Sequence, residues 1–183
     1  EQETAALNDP VRSELIAGYE TNPLWQDEDM TIVLSSTQNF STANWLNTVR
    51  SKSYQLGSAD GNINRVKSIA MLGGLPIAGQ TTYTEQTKKQ GSDLGFDNTT
   101  ALSQLLKTGG ANWTRAEFFY VESSKDAFSS AARAITSKAY QVSSDDEKLN
   151  RTESKNVYSG KVTYVEQETA ALNDPVRSEL IAG

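Results

Sequence analysis

The sequence predicts an α+β fold: mainly an antiparallel sheet or sandwich with two or three short helices. Runs rich in β-branched and aromatic residues alternate with Gly, Asn, Asp and Pro turn signals along most of the chain. Two stretches carry apolar residues at helical spacing between a capping residue and a glycine. The length, 183 residues with 37% hydrophobic and 22% charged, suits one domain with a sizeable core.

The first helix is predicted over 10–17, in "NDPVRSELIAG". Asp9 accepts from the open N–H groups of the first turn, and Pro10 follows where its missing N–H costs nothing. Val11 and Leu15 share a face, and Gly18 can take the left-handed conformation that ends a helix. A helix this short is marginal alone and must dock. Burying Val11, Leu15 and Ile16 would contribute roughly 5 kcal/mol, at about 1.5–3 kcal/mol per side chain.

Asn22-Pro23 marks a turn before the acidic run Asp27, Glu28, Asp29, and "TIVLSS" (31–36) reads as a buried strand. Ser41 as a cap, with Trp45, Leu46 and Val49 on one face, predicts a helix over 42–52. Asp60-Gly61 is a tight-turn signal, 64–72 a strand, and the glycine-rich 73–79 a connection exposing Leu75 and Ile77. The β-branched run 79–89 reads as a strand. A second helix is predicted over 99–108, capped by Asp97 or Asn98, with Leu102, Leu105 and Leu106 as its buried stripe and Gly109 at its end. Strands are predicted at 113–123, where Phe118, Phe119 and Tyr120 suggest burial on both faces, and at 133–143, although the alanines there also suit a helix start. "SSDDEKLNRTES" (143–154) reads as a polar connection. In "NVYSGKVTYVEQ", Tyr158, Val162 and Tyr164 alternate with Lys161 and Thr163, which reads as a closing strand.

The same eighteen residues, "EQETAALNDPVRSELIAG", stand at 1–18 and at 166–183, an offset of 165. The organisation is therefore a terminal segment (1–18), a single α+β domain (19–165), and a second copy of the segment (166–183). A tandem array, an engineered copy and an accident of assembly all explain such a repeat. In each case one domain offers one docking place to two identical helices, unless each copy packs at a separate place or one frays. The spare copy then reaches toward a neighbouring molecule.

Charge and composition narrow the chemistry. A net charge of −6 without a basic stripe speaks against a nucleic-acid groove. The apolar runs are far too short for a membrane span. The first residues show no charged n-region with an apolar h-region, so the expectation is no signal peptide or a mature fragment. Histidine and cysteine are both absent, which removes Ser-His-Asp and Cys-His catalysis, disulfides and the usual zinc ligands.

The remaining motifs are weak. Ser123, Ser124, Lys125 and Ser129 lack S-x-x-K spacing. The acidic runs 27–29 and 145–147 suit solvated loops better than an acid–base pair. Asp60, Asn62 and Asn64 lack the distal Glu of a calcium loop. "GGLPIAG" matches no phosphate-loop pattern. Four N-x-[ST] triplets, at Asn39, Asn98, Asn112 and Asn150, are near chance in a chain with 38 Ser and Thr residues. Trp25, Trp45, Trp113, Phe118 and Tyr120 suit a core better than a sugar platform. No cofactor and no metal is expected.

From 79 to 165 the elements run "GQTTYTEQ", a polar loop, "TTALSQLLKTGG", "TRAEFFYVES", "AITSKAYQVSSDDEK" and "VYSGKVTYV". This order resembles the core of tail tube (major tail) proteins of long-tailed phages. The resemblance covers about half the chain and carries no functional residues across. It implies a virion protein whose copies stack as rings into a tube, joined by sheet edges and arms. The expected function is thus a non-enzymatic structural protein whose partner is itself, in a virion or extracellular setting. Val11, Leu15, Ile16, Val176, Leu180 and Ile181 are the expected subunit contacts. A repeat module of an extracellular tandem-repeat adhesin or fibre is the alternative, favoured by the 165-residue period and the Ser/Thr content. An enzyme is the third reading, disfavoured by the missing His and Cys.

Overall fold

The computed structural model describes residues 2–5, 9–25, 28–39, 41–90, 117–143 and 149–168. Among these residues nine strands form one antiparallel sheet whose spatial order equals chain order. They are β1 (Gln2–Ala5), β2 (Met30–Ser36), β3 (Val49–Gly57), β4 (Ile63–Leu72), β5 (Leu75–Gln90), β6 (Glu117–Ser124), β7 (Ile135–Ser143), β8 (Leu149–Asn156) and β9 (Val162–Glu168). β1 and β9 are its two edges. The sheet-rich expectation holds, but helix is scarcer than expected. The described residues contain one α-helix, α1 (Pro10–Leu15), and single 3-10 turns at Pro23–Trp25 and Trp45–Thr48. The predicted helix 99–108 lies outside the described residues.

Local chemistry explains the turns. Asp60 Oδ1 accepts from the Ser58 hydroxyl at 2.5 Å and from the Asn62 N–H at 3.0 Å, closing the β3–β4 hairpin. Gly73 and Gly74 both have positive φ, 59° and 79°, which a two-residue hairpin turn requires. The expected connection 73–79 is therefore a tight turn, and β5 begins at Leu75, paired with Leu72. Asn156 Oδ1 accepts from the N–H groups of Tyr158 (3.1 Å) and Ser159 (2.9 Å) and shapes the β8–β9 turn.

Three expectations need correction. The helix over 42–52 is a 3-10 turn followed by a strand. Asn44 sits in the left-handed region, and the Thr48 hydroxyl bonds Trp45 O at 2.6 Å, which ends the turn. The trio Trp45, Leu46, Val49 is split, with Val49 buried and Leu46 55% exposed. Period-two burial of Tyr54 and Leu56 prevails over the helical spacing. Of the expected polar connection 143–154, residue 143 ends β7 and 149–154 belong to β8, while 144–148 lie outside the described residues. Tyr158 does not share a strand face with Val162 and Tyr164, because it lies in the turn before β9, 74% exposed.

The core sits at the β2–β5 end of the sheet. Leu15, Ala17, Trp25, Met30, Tyr54, Leu56, Tyr83 and Phe128 form one buried cluster. Tyr19 stacks on Trp25 with centroids 5.5 Å apart, and Tyr83 meets Phe128 edge-on at 5.5 Å. Trp25 and Phe118 are buried as expected, whereas Trp113 lies outside the described residues.

The turn at Asp60 gives a pH expectation. The Ser58 hydroxyl, then the Asn62 N–H, hold its carboxyl below the ordinary 3.8. A depressed folded pKa contributes stability that is present above the unfolded pKa and lost as pH falls through the folded one. Asp60→Asn should therefore remove part of the acid dependence of the melting temperature below about pH 4. Melting curves from about pH 2 to 6 for both chains would show it, and an unchanged acid limb would contradict it.

Candidate assembly interface

The first copy of the duplicated segment is built into the domain. Asp9 Oδ1 accepts from Val11 N–H at 2.8 Å and caps α1, with Pro10 at its first position. Gly18, at φ +87°, turns the chain away after the helix. Leu15 is 0% exposed in the core cluster, and Val11 and Ile16 pack partly buried against it. These three expected contact residues thus meet in the chain's own slot. Val176, Leu180 and Ile181 lie outside the described residues.

Charged side chains also hold this peptide in the slot. Arg12 is buried, and its guanidinium donates to the carbonyls of Trp25 and Glu28. Arg65, on β4, donates to the carbonyls of Leu15 and Ala17, both at 2.8 Å, in the last turn where helix carbonyls lack intrahelical partners. It also pairs with Glu85 at 2.6 Å and lies between the rings of Tyr19 (4.6 Å) and Phe128 (4.3 Å). Lys67 reaches Glu14 at 2.6 Å. The Tyr83 hydroxyl donates to Glu14 at 3.4 Å, and burial raises its phenol above the ordinary value. The sequence reading missed Arg12, Arg65 and Lys67. Charged residues on an apolar face look like solvated ones until their carbonyl and carboxylate partners are known.

The segment also enters the sheet. β1 pairs antiparallel with β2, Gln2 opposite Val33 through Ala5 opposite Met30. At the opposite edge, β9 ends with the first three residues of the second copy, Glu166, Gln167 and Glu168. Glu166 pairs with Arg151 on β8 at 2.6 Å. Residues of the same peptide, Gln2–Ala5 and 166–168, therefore lie at the two edges of one sheet. The β9 edge also displays apolar side chains, with Tyr164 61% exposed beside exposed Val162 and Val165.

The other sequence candidates resolve into structural roles. Ser124 Oγ donates to Ala134 O at 2.9 Å and accepts from Asp126 N–H at 3.0 Å, while Lys125 reaches the Thr82 hydroxyl at 3.1 Å. Asp60 is used by its own turn. Residues 145–147 lie outside the described residues. Among the described residues no group of three His, Cys, Asp or Glu converges to hold a metal. No helix there is long and apolar enough to cross a membrane. Comparisons with protein-family models, curated proteins and solved structures find no match.

Proposed function

We propose that this chain is a non-enzymatic structural protein that assembles with copies of itself through its sheet edges and its duplicated terminal segment. One observation carries the reading: the peptide beginning "EQE" is built into β1 at one edge and into β9 at the other. An edge strand is a ready template for pairing with another chain, and here each edge carries part of the same peptide. A ring-stacked tube in a virion, in the manner of phage tail tubes, is one concrete form. A repeat module of an extracellular adhesin or fibre is the other, and the 165-residue offset favours it.

Sedimentation velocity over a micromolar concentration series tests this reading. The full chain should form oligomers that grow with concentration. A chain of residues 1–165 should sediment as a monomer and still melt cooperatively, because 1–18 already fill the slot. A full chain that stays monomeric throughout would overturn the proposal.

A further inference from the structure

We infer that residues 162–170 form one strand shared by two molecules, paired with β8 of their own chain and with β2 of the next. Residues 175–180 then fill that neighbour's helix slot in place of its α1. This rests on the self-assembly reading and names what joins the copies.

Identity comes first. Everything the slot recognises in the first copy recurs in the second: Arg177 for Arg12, Glu179 for Glu14, Leu180 for Leu15. Continuity follows. β9 ends at Glu168, the counterpart of Glu3 within β1, so β9 and β1 are overlapping windows on the single stretch "VTYVEQETA".

Backbone phase is the independent test. In an antiparallel ladder a residue aims its N–H and C=O to one side and the next residue aims them to the other. Asn156 N–H donates to Lys161 O at 2.9 Å, so these two form a bonded pair. Stepping by two along the β8–β9 register makes Asn150 and Gln167 a bonded pair as well. Gln167 thus aims its backbone at β8, and Glu166 and Glu168 aim theirs outward.

At the far edge, Ser58 N–H donates to Ile63 O at 2.8 Å, so Leu56 and Tyr54 aim at β4, while Gln55 and Ser53 aim at β2. Their partners Thr31 and Val33 aim back at β3, which leaves Met30 and Ile32 aimed at β1. The bond from Thr37 N–H to Thr48 O, 3.5 Å, has the same phase. Hence Glu3 and Ala5 aim at β2, while Gln2 and Thr4 aim outward.

The two edges are complementary. Gln2 leaves unused the side that Gln167 gives to β8, and Glu168 leaves unused the side that Glu3 gives to β2. A shared strand claims no backbone group twice. The opposite phase would have forbidden it, and sequence identity alone does not secure the match. The partner is a second copy rather than the chain's own other edge, because the sheet is open, with β9 and β1 as its two separate edges and, among the described residues, no pairing between β9 and β2 of the same chain.

Cysteine pairs test this cleanly, since the chain has no cysteine of its own. Thr4 and Thr31 are directly opposed across β1–β2 in a non-bonded pair, where Cα atoms lie about 4.5 Å apart, within disulfide range. Oxidised Thr31→Cys/Thr169→Cys should give a non-reducing ladder in multiples of the 20.0 kDa chain. Thr4→Cys/Thr31→Cys should lock the first copy in place and abolish oligomers until reduced. A 31–169 link found only within single chains would overturn the inference. So would oligomers that form without that link, although they would leave self-assembly standing. A monomeric unmodified chain would remove both.

Discussion

Leu15→Asp and Leu180→Asp should move the oligomeric state in opposite directions, although each changes the same residue of the same peptide. Leu15 is fully buried in the core cluster. A carboxylate there loses the packing and is desolvated without a partner, a cost of about 3–5 kcal/mol. That weakens the first copy's hold on the slot by roughly 150- to 5,000-fold. The neighbour's second copy, with Leu180 intact, then wins the slot, and sedimentation should shift toward larger species. Leu180→Asp damages only the donor, so the chain should stay monomeric with its melting temperature nearly unchanged. The double variant should be monomeric and less stable. If both single variants shift sedimentation in the same direction, the two copies do not compete for one site.

Arg65→Met should be as destabilising as Leu15→Asp. It strands Glu85 and leaves the carbonyls of Leu15 and Ala17 without their donor. Breaking a buried pair by removing one partner costs about 3–5 kcal/mol. At about 2–4 °C per kcal/mol for a chain of this size, the melting temperature should fall by roughly 6–20 °C. Arg151→Met removes the ion pair to the exposed Glu166 and should cost about 1 kcal/mol or less. Because Arg65 holds whichever copy is docked, Arg65→Met should also reduce oligomers, whereas Leu15→Asp raises them. Equal melting shifts for Arg65→Met and Arg151→Met would contradict this role.

The parts legible in the sequence were those written in local chemistry. Asp9, Pro10 and Gly18 bounded α1 because capping and left-handed turns depend on a few adjacent residues. The alternating or β-branched runs gave β2, β4, β5 and β7 to within a few residues, and β6 overlaps its predicted run 113–123 and ends one residue beyond it. The parts missed depend on distant partners. β8 is polar along nearly its whole length, so it shows no period-two burial and owes its extension to pairing with β7 and β9. Val49–Gly57 was masked by an apolar trio at helical spacing that packing then separated. Arg65 and Lys67 gave no signal, because their roles exist only once α1 lies over β4. The duplication was plain from the letters. Its two places in the sheet were not, since pairing order is a property of the whole chain.

Isotope mixing tests the shared strand most directly. Chains carrying Thr31→Cys and Thr169→Cys are prepared unlabelled and ¹⁵N-labelled, mixed in equal amounts, oxidised, digested and weighed. A strand shared between molecules should join the two introduced cysteines in linked peptides of mixed isotope in about half of the links, the share expected when partners are drawn at random from such a mixture. Linked peptides of uniform isotope alone would mean that each chain closes on itself, and the claim of a strand shared between molecules would be wrong.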